Sequence, residues 1–239
     1  MMGRKQAMKK FFVFAMSAAT AGAMAQTLWY NGDWDFSNGL ASERNTQVSD
    51  ARTYDNFRSG AGWIVQGVWG NYLDIALVTT NLYYEIRRGV SRGNGGTLVA
   101  GGTVPITRDI RTGRDTLHWR ERHIFGNVGN ITLADNTEYW LTVAPIGDGV
   151  GRAFVSTTDG ADRGPSRDPN PPPVGRLPGG AFFDSTHFGY DFAPASDVLR
   201  YDADFSYGIA GVPEPASGLV LGGAVAALAA RRRRWASRS

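Results

Sequence analysis

Oxygen-bearing side chains stand at alternate positions in Asn31-Gly32-Asp33-Trp34-Asp35-Phe36-Ser37. Such spacing suits a hard cation like Ca²⁺, which gathers several oxygens from one short loop. The pattern departs from a Ca²⁺ loop at its sixth position, Phe36, where the turn needs glycine, and at its twelfth, Ser42, with Glu43 one residue late. A polar edge or Asx turn is therefore the leading reading of this stretch, and a metal site on Asn31, Asp33 and Asp35 the alternative. Of the histidines, His118, His123 and His187, the first two are an odd number of residues apart, so on one strand they face opposite ways and cannot share a metal. No Gly-x-Ser-x-Gly elbow accompanies them. A glycosidase needs two carboxylates flanking a sugar. The glutamates between the two ends of the chain are Glu43, Glu85, Glu121 and Glu138. Glu85 beside Arg87, and Glu121 between Arg120 and Arg122, read as surface charges paired across strands. Aromatic residues are more suggestive. Most of them belong in a core, but Trp34, Trp69 and Tyr83 are expected to be exposed, where their faces could contact a glycan.

The elements that would hold these residues read as strands. Short alternating apolar runs occur at Gly62–Trp69, Asn81–Arg87, Thr97–Ala100, Thr116–Phe125 and Glu138–Ala144, with Asp202–Ile209 closing the set and weaker candidates at Ala153–Thr157 and Ala181–Phe183. Gly/Asn/Asp clusters separate them, including Gly93–Gly96, Gly126-Asn127 and Gly147–Gly149. Gly93–Gly96 lacks the Lys-Ser/Thr and helix of a phosphate loop and reads as a hairpin. No amphipathic helix of ten residues is evident. The expected fold is all-β, an antiparallel β-sandwich of jelly-roll type. Within Asn81–Arg87, Leu82, Tyr84 and Ile86 share one face and Tyr83, Glu85 and Arg87 the other. Residues 159–180, rich in Pro and Gly, form an expected surface loop.

The formal charge of the 239-residue chain is +3, but it is unevenly placed. Residues 1–25 carry +4 from Arg4, Lys5, Lys9 and Lys10, and residues 212–239 carry another +4. The 186 residues between hold 16 Arg, no Lys and 21 acids, a net of −5, which argues against a nucleic-acid-binding body. With no cysteine, disulfides, thiolate metal sites and a Cys nucleophile are excluded. No cofactor is expected.

Both basic ends read as addresses. A positive segment, an apolar stretch from Phe11 and the small-x-small tripeptide Ala23-Met24-Ala25 before Gln26 are the parts of a Sec signal peptide, residues 1–25. At the other end Val212-Pro213-Glu214-Pro215 is followed by an apolar run, Ala216–Ala230, and by Arg231, Arg232, Arg233 and Arg234. The run is short for a membrane span, while the arginines act as a stop-transfer cluster on the cytoplasmic side. The expected organisation is a signal helix, a body over 26–211, and a tail over 212–239 with a short transmembrane helix at 216–230.

The order and position of these tail residues resemble the PEP-CTERM protein-sorting signal. That resemblance implies recognition of Pro213, Glu214 and Pro215 by exosortase, a membrane Cys protease, after export through the Sec translocon. It further implies an organism that makes exopolysaccharide, and a final place at the cell surface or in the matrix after transient anchoring in the inner membrane. The body is more loosely similar to a group of PEP-CTERM exported domains with no assigned activity. The similarity lies in Leu28–Asn45, Tyr54-Asp55-Asn56-Phe57, Tyr84-Glu85-Ile86-Arg87, Asn136–Val143 and Asp204–Gly208. The expected role is non-catalytic: structural, adhesive or in contact with extracellular polysaccharide. The alternative is a secreted hydrolase acting on polysaccharide.

Overall fold

The computed structural model describes residues 25–75, 77–158 and 179–213. Within them the chain is all-β. Before residue 60 come β1 (Gln26–Tyr30), β2 (Trp34–Ala41), β3 (Glu43–Asn45) and β4 (Ser49–Arg58). Long strands follow: β5 (Trp63–Ile75), β6 (Thr79–Arg88), β7 (Thr97–Arg111), β8 (Arg120–Thr132) and β9 (Glu138–Gly147). The set ends with β10 (Arg152–Thr158), β11 (Phe182–Ser185), β12 (Tyr190–Pro194), β13 (Asp204–Phe205) and β14 (Tyr207–Pro213). One short helix, α1 (Ala195–Leu199), follows β12.

The strands form a single connected sheet in the order β1-β14-β5-β8-β7-β6-β9-β3-β4-β11-β12, with β10 joining β2, β5 and β13. All pairings are antiparallel except one parallel contact, Arg44 with Ile146 between β3 and β9. Strand β7 makes the continuity possible. Its first half pairs with β6 and its second half with β8. The far parts of the sheet meet over a shared core. The Tyr72 hydroxyl on β5 donates to the Val143 carbonyl of β9 at 2.6 Å, and the Tyr207 hydroxyl on β14 lies 2.8 Å from Ser42 Oγ and 3.0 Å from the Thr53 carbonyl of β4. Burial of these hydroxyls is tolerated because each has a partner. Around them pack Trp29, stacked on Phe57 at 4.9 Å between centroids, with Leu82, Ile86, Ile124, Leu141, Phe205 and Ile209.

The faces predicted for β6 hold for its apolar residues: Leu82, Tyr84 and Ile86 are buried in this core. The β6–β7 turn closes on paired bonds between Ser91 and Asn94. Gly126-Asn127, expected as a turn, lies inside β8 instead. Its glycine serves close approach, because a Cβ there would come within 2.9 Å of Leu82 and Val104. The expected strand Thr116–Phe125 begins only at Arg120. Before it, Thr116 N–H bonds to the Trp119 carbonyl in a turn, and Leu117 is 97% exposed.

No helix among the described residues is long and apolar enough to cross a membrane. The signal segment up to Met24, most of the 159–180 loop, Glu214, Pro215, the 216–230 run and Arg231–Arg234 lie outside the described residues.

Candidate functional site

Register brings one row of side chains together on the outer face of the β1-β14-β5-β8-β7 part of the sheet. Tyr30 is opposite Gly208, Gly208 opposite Trp69, Trp69 opposite Phe125, and Phe125 opposite Arg108. Beside it run Asn71, His123 and Ile110, also in register. Glycines make room for the rings. A Cβ on Gly208 would fall inside the Trp69 indole, and one on Gly67 inside the Phe125 ring. Trp69 thus lies between Tyr30 (6.0 Å), His123 (5.9 Å) and Phe125 (6.1 Å, stacked). The Arg108 guanidinium stands 5.4 Å from the Phe125 centroid, within cation–π range.

A chain of hydrogen bonds crosses the same row. Tyr30 donates its hydroxyl to Asp33 Oδ1 at 2.5 Å, and Asn71 Nδ2 donates to the Tyr30 hydroxyl (2.9 Å) and to Ser206 Oγ (2.8 Å). Since Nδ2 is the donor, Asn71 Oδ1 is the acceptor facing His123 Nδ1 at 3.0 Å. This network assigns the histidine proton to Nδ1 and leaves Nε2 as a bare acceptor. Burial first, and then the Arg108 charge, depress the His123 pKa to about 4, so the ring is neutral at ordinary pH. Burial, and next Asp33, raise the Tyr30 pKa well above its ordinary value, so the phenol stays protonated and donates.

Asp33 is also paired with Arg114, which reaches Glu121 Oε2 at 3.4 Å. Glu121 is fully buried and accepts from Thr112 Oγ1 (2.6 Å) and Ser156 Oγ (2.8 Å). Burial raises its pKa; the hydrogen bonds and Arg114 offset part of that rise. An open cleft of about 420 Å³ sits over this assembly, lined by Tyr30, Asp33, Trp69, Asn71, Arg108, Arg114 and His123 among others. Glu121 is not in its wall.

The residues singled out from sequence fall in several places. Trp69 lines the cleft but is only 7% exposed, and Trp34 only 6%, so neither offers the open face expected of it. Trp34 packs on Phe36 and donates Nε1 to the Asn38 carbonyl at 3.1 Å. Tyr83 is half-buried under the Arg44 guanidinium, 4.9 Å from its centroid, and its hydroxyl is bound to Glu85. Asn31, Asp33 and Asp35 diverge. Asn31 donates to Asp55 (2.8 Å), Asp33 serves Tyr30 and Arg114, and Asp35 accepts from Ser37 N–H and Thr157 Oγ1. Among the described residues no three His, Asp or Glu side chains gather as a metal site. His118 and His187 are exposed. Ala25 and Gln26 sit at the start of the described chain. Val212 and Pro213 form the end of β14, opposite Ile64 and Trp63.

Glu85 and Glu121 are corrections too, being buried rather than surface charges. Glu85 is held on the outer face of β6 by Tyr54 (2.7 Å), Arg52 (3.1 Å), Tyr83 and Arg87. Burial alone would raise its pKa; these donors outweigh it and hold the group below the usual range. Glu43 is buried under Arg152, Asn45 and the Ala153 N–H.

Sequence reasoning missed Asn71, Arg108 and Arg114. The usable signal was Gly67-x-Trp69-x-Asn71 on β5, where polar and aromatic groups alternate with the core-facing Val68 and Tyr72. No protein-family model matches the chain, and no curated protein matches it.

Proposed function

We propose that the chain is an exported surface or matrix protein. Its body folds as a two-layer, jelly-roll-like β-sandwich, and its cleft on the outer sheet face contacts extracellular carbohydrate without catalysis. The observation that carries the contact role is the row Tyr30–Trp69–His123–Arg108, where a neutral histidine acceptor and a guanidinium without a carboxylate partner, set among aromatic rings, open onto one cleft. Sugar rings present apolar C–H faces rimmed by hydroxyls, so a site with that mixture suits them. A hydrolase reading would use Glu121 with Asp33. It is disfavoured because Glu121 is enclosed, with both oxygens engaged, and because Arg114 clamps Asp33.

The export reading rests on the Sec-type start and the PEP-CTERM-like tail. It is supported by the strand that follows the expected cleavage site: Gln26 is the register partner of Gly211, so both ends of the body leave the sheet side by side. Exosortase would act on a tail, 212–239, whose first two residues, Val212 and Pro213, still belong to β14. A C-terminal epitope tag should be lost on export while an internal tag stays on cells or matrix; a retained C-terminal tag would sink the processing. Glycan-array binding of the full chain tests the contact role, and retention of no glycan would remove it.

A further inference from the structure

We infer that the outer-face cleft takes an acidic saccharide, one bearing carboxylate groups such as uronate, and that Arg108 is its anion-binding residue. This rests on the carbohydrate-contact reading and narrows it. The body as a whole is acidic, −5 over residues 26–211, which by itself argues against an anionic partner. The cleft is the reverse. Its wall holds Arg108, Arg111 and Arg114 against the single carboxylate Asp33. Asp33 is consumed by Arg114, which shows how a guanidinium here grips a carboxylate. Arg111 has only an exposed pair with Asp115, of the kind that water screens heavily. Arg108 has no carboxylate partner among the described residues and keeps its fork free above the Phe125 ring.

A guanidinium resting on an aromatic face is pre-oriented, and it binds carboxylate through two parallel N–H donors. The sugar's hydroxyls then meet His123 Nε2, an acceptor, and the cleft's polar wall of Tyr30 and Asn71. The geometry also favours a chain over a single sugar. Arg111 lines two further clefts around the β7–β8 turn, both containing Arg120, a second arginine without a carboxylate partner among the described residues.

The test is calorimetric titration of the full chain, kept in mild detergent, with tetragalacturonate, maltotetraose and tetraglutamate. Tetragalacturonate is expected to bind at least about tenfold more tightly than either of the others. Arg108→Gln is expected to lose about tenfold of that affinity, while Arg88→Gln, which removes an exposed arginine from the end of β6, loses little. Maltotetraose binding as well as the uronate would overturn the acidic preference and leave the carbohydrate reading standing. Tetraglutamate binding equally, or Arg88→Gln costing as much as Arg108→Gln, would reduce the effect to charge alone and overturn the site. Absence of binding by both saccharides would overturn this inference and the reading beneath it.

Discussion

Two outer faces of this sheet carry the same kinds of side chain and treat them in opposite ways. On the β4-β9-β6 face, Tyr54, Tyr83, Arg52 and Arg87 surround Glu85. The β11–β12 segment covers that cluster. Phe192 packs 5.1 Å from the Tyr54 ring and 5.6 Å from the Arg87 guanidinium, and the Trp140 Nε1 donates to the Gly180 carbonyl at 2.7 Å. On the β1-β14-β5-β8-β7 face, Tyr30, Trp69, His123 and Arg108 have no such cover among the described residues and open onto a cleft. In the first cluster four donors converge on one carboxylate, so its charges are spent on holding the fold. In the second, an acceptor and a cation are left over for something else. Aromatic and arginine content alone does not mark a binding surface; the unspent valence does.

The sharpest way to break that contrast is to empty the covered cluster. Glu85→Ala would strand the Tyr54 and Tyr83 phenols without their acceptor and leave Arg52 only its pairs with Asp184 and Asp50 and Arg87 only the Gly95 carbonyl. The loss of stability in denaturant titration is expected to be about 3–5 kcal/mol, with saccharide affinity unchanged in the protein that remains folded. If affinity fell as well, the two faces would not be independent. The open face is expected to respond differently to crowding. Gly208→Ala places a Cβ inside the Trp69 ring, so the indole must move at a cost of up to about 3 kcal/mol. Cleft affinity should fall together with the melting temperature.

A titration separates the faces further. The folded His123 pKa of about 4 lies below the unfolded value of about 6.5. As pH falls through that window the unfolded chain takes up a proton the native state refuses, and stability is lost. The contribution is full above about 6.5, is reduced by about 2 kcal/mol at pH 5, and levels off below 4. Glu121 and Glu43, with raised values, act in the opposite sense, since protonating them in the native state relieves a burial cost as pH falls. The difference between wild type and His123→Gln, followed by melting from pH 7 to 5, isolates the histidine. The variant is expected to lose less stability. Smallest of all is Arg108→Gln: an exposed arginine with no ion pair, it should change stability by no more than about 0.5 kcal/mol despite its effect on affinity.

Much of the strand framework was legible. Alternation located β6 and β9 and put Leu82, Tyr84 and Ile86 inward, because period two needs no tertiary information. It failed on Glu85 for a physical reason. Alternation says which face a residue takes, not whether a further layer covers that face, and β11 and β12 lie about a hundred residues away in sequence. The first four strands were hard to read because Asn31–Asn45 is rich in turn formers, yet β2 is held by β10 and β4 by β9, partners distant in the chain. Gly126 looked like a turn because close approach of Leu82 and Val104 is a fact of packing. Helix α1, with five residues, is too short to show a period. The cleft was the least visible feature. Tyr30, Asn71, Arg108 and His123 come from four strands and Ser206 from the link between β13 and β14, and only register aligns them.

The most direct test of the contrast between the two faces is amide hydrogen exchange on the full chain with and without saturating tetragalacturonate. Protection is expected at residues 28–33, 69–72 and 108–124, with none at 52–56, 83–87 or 190–194. Protection of the Glu85 face, or of neither face in a sample that binds the saccharide, would contradict it.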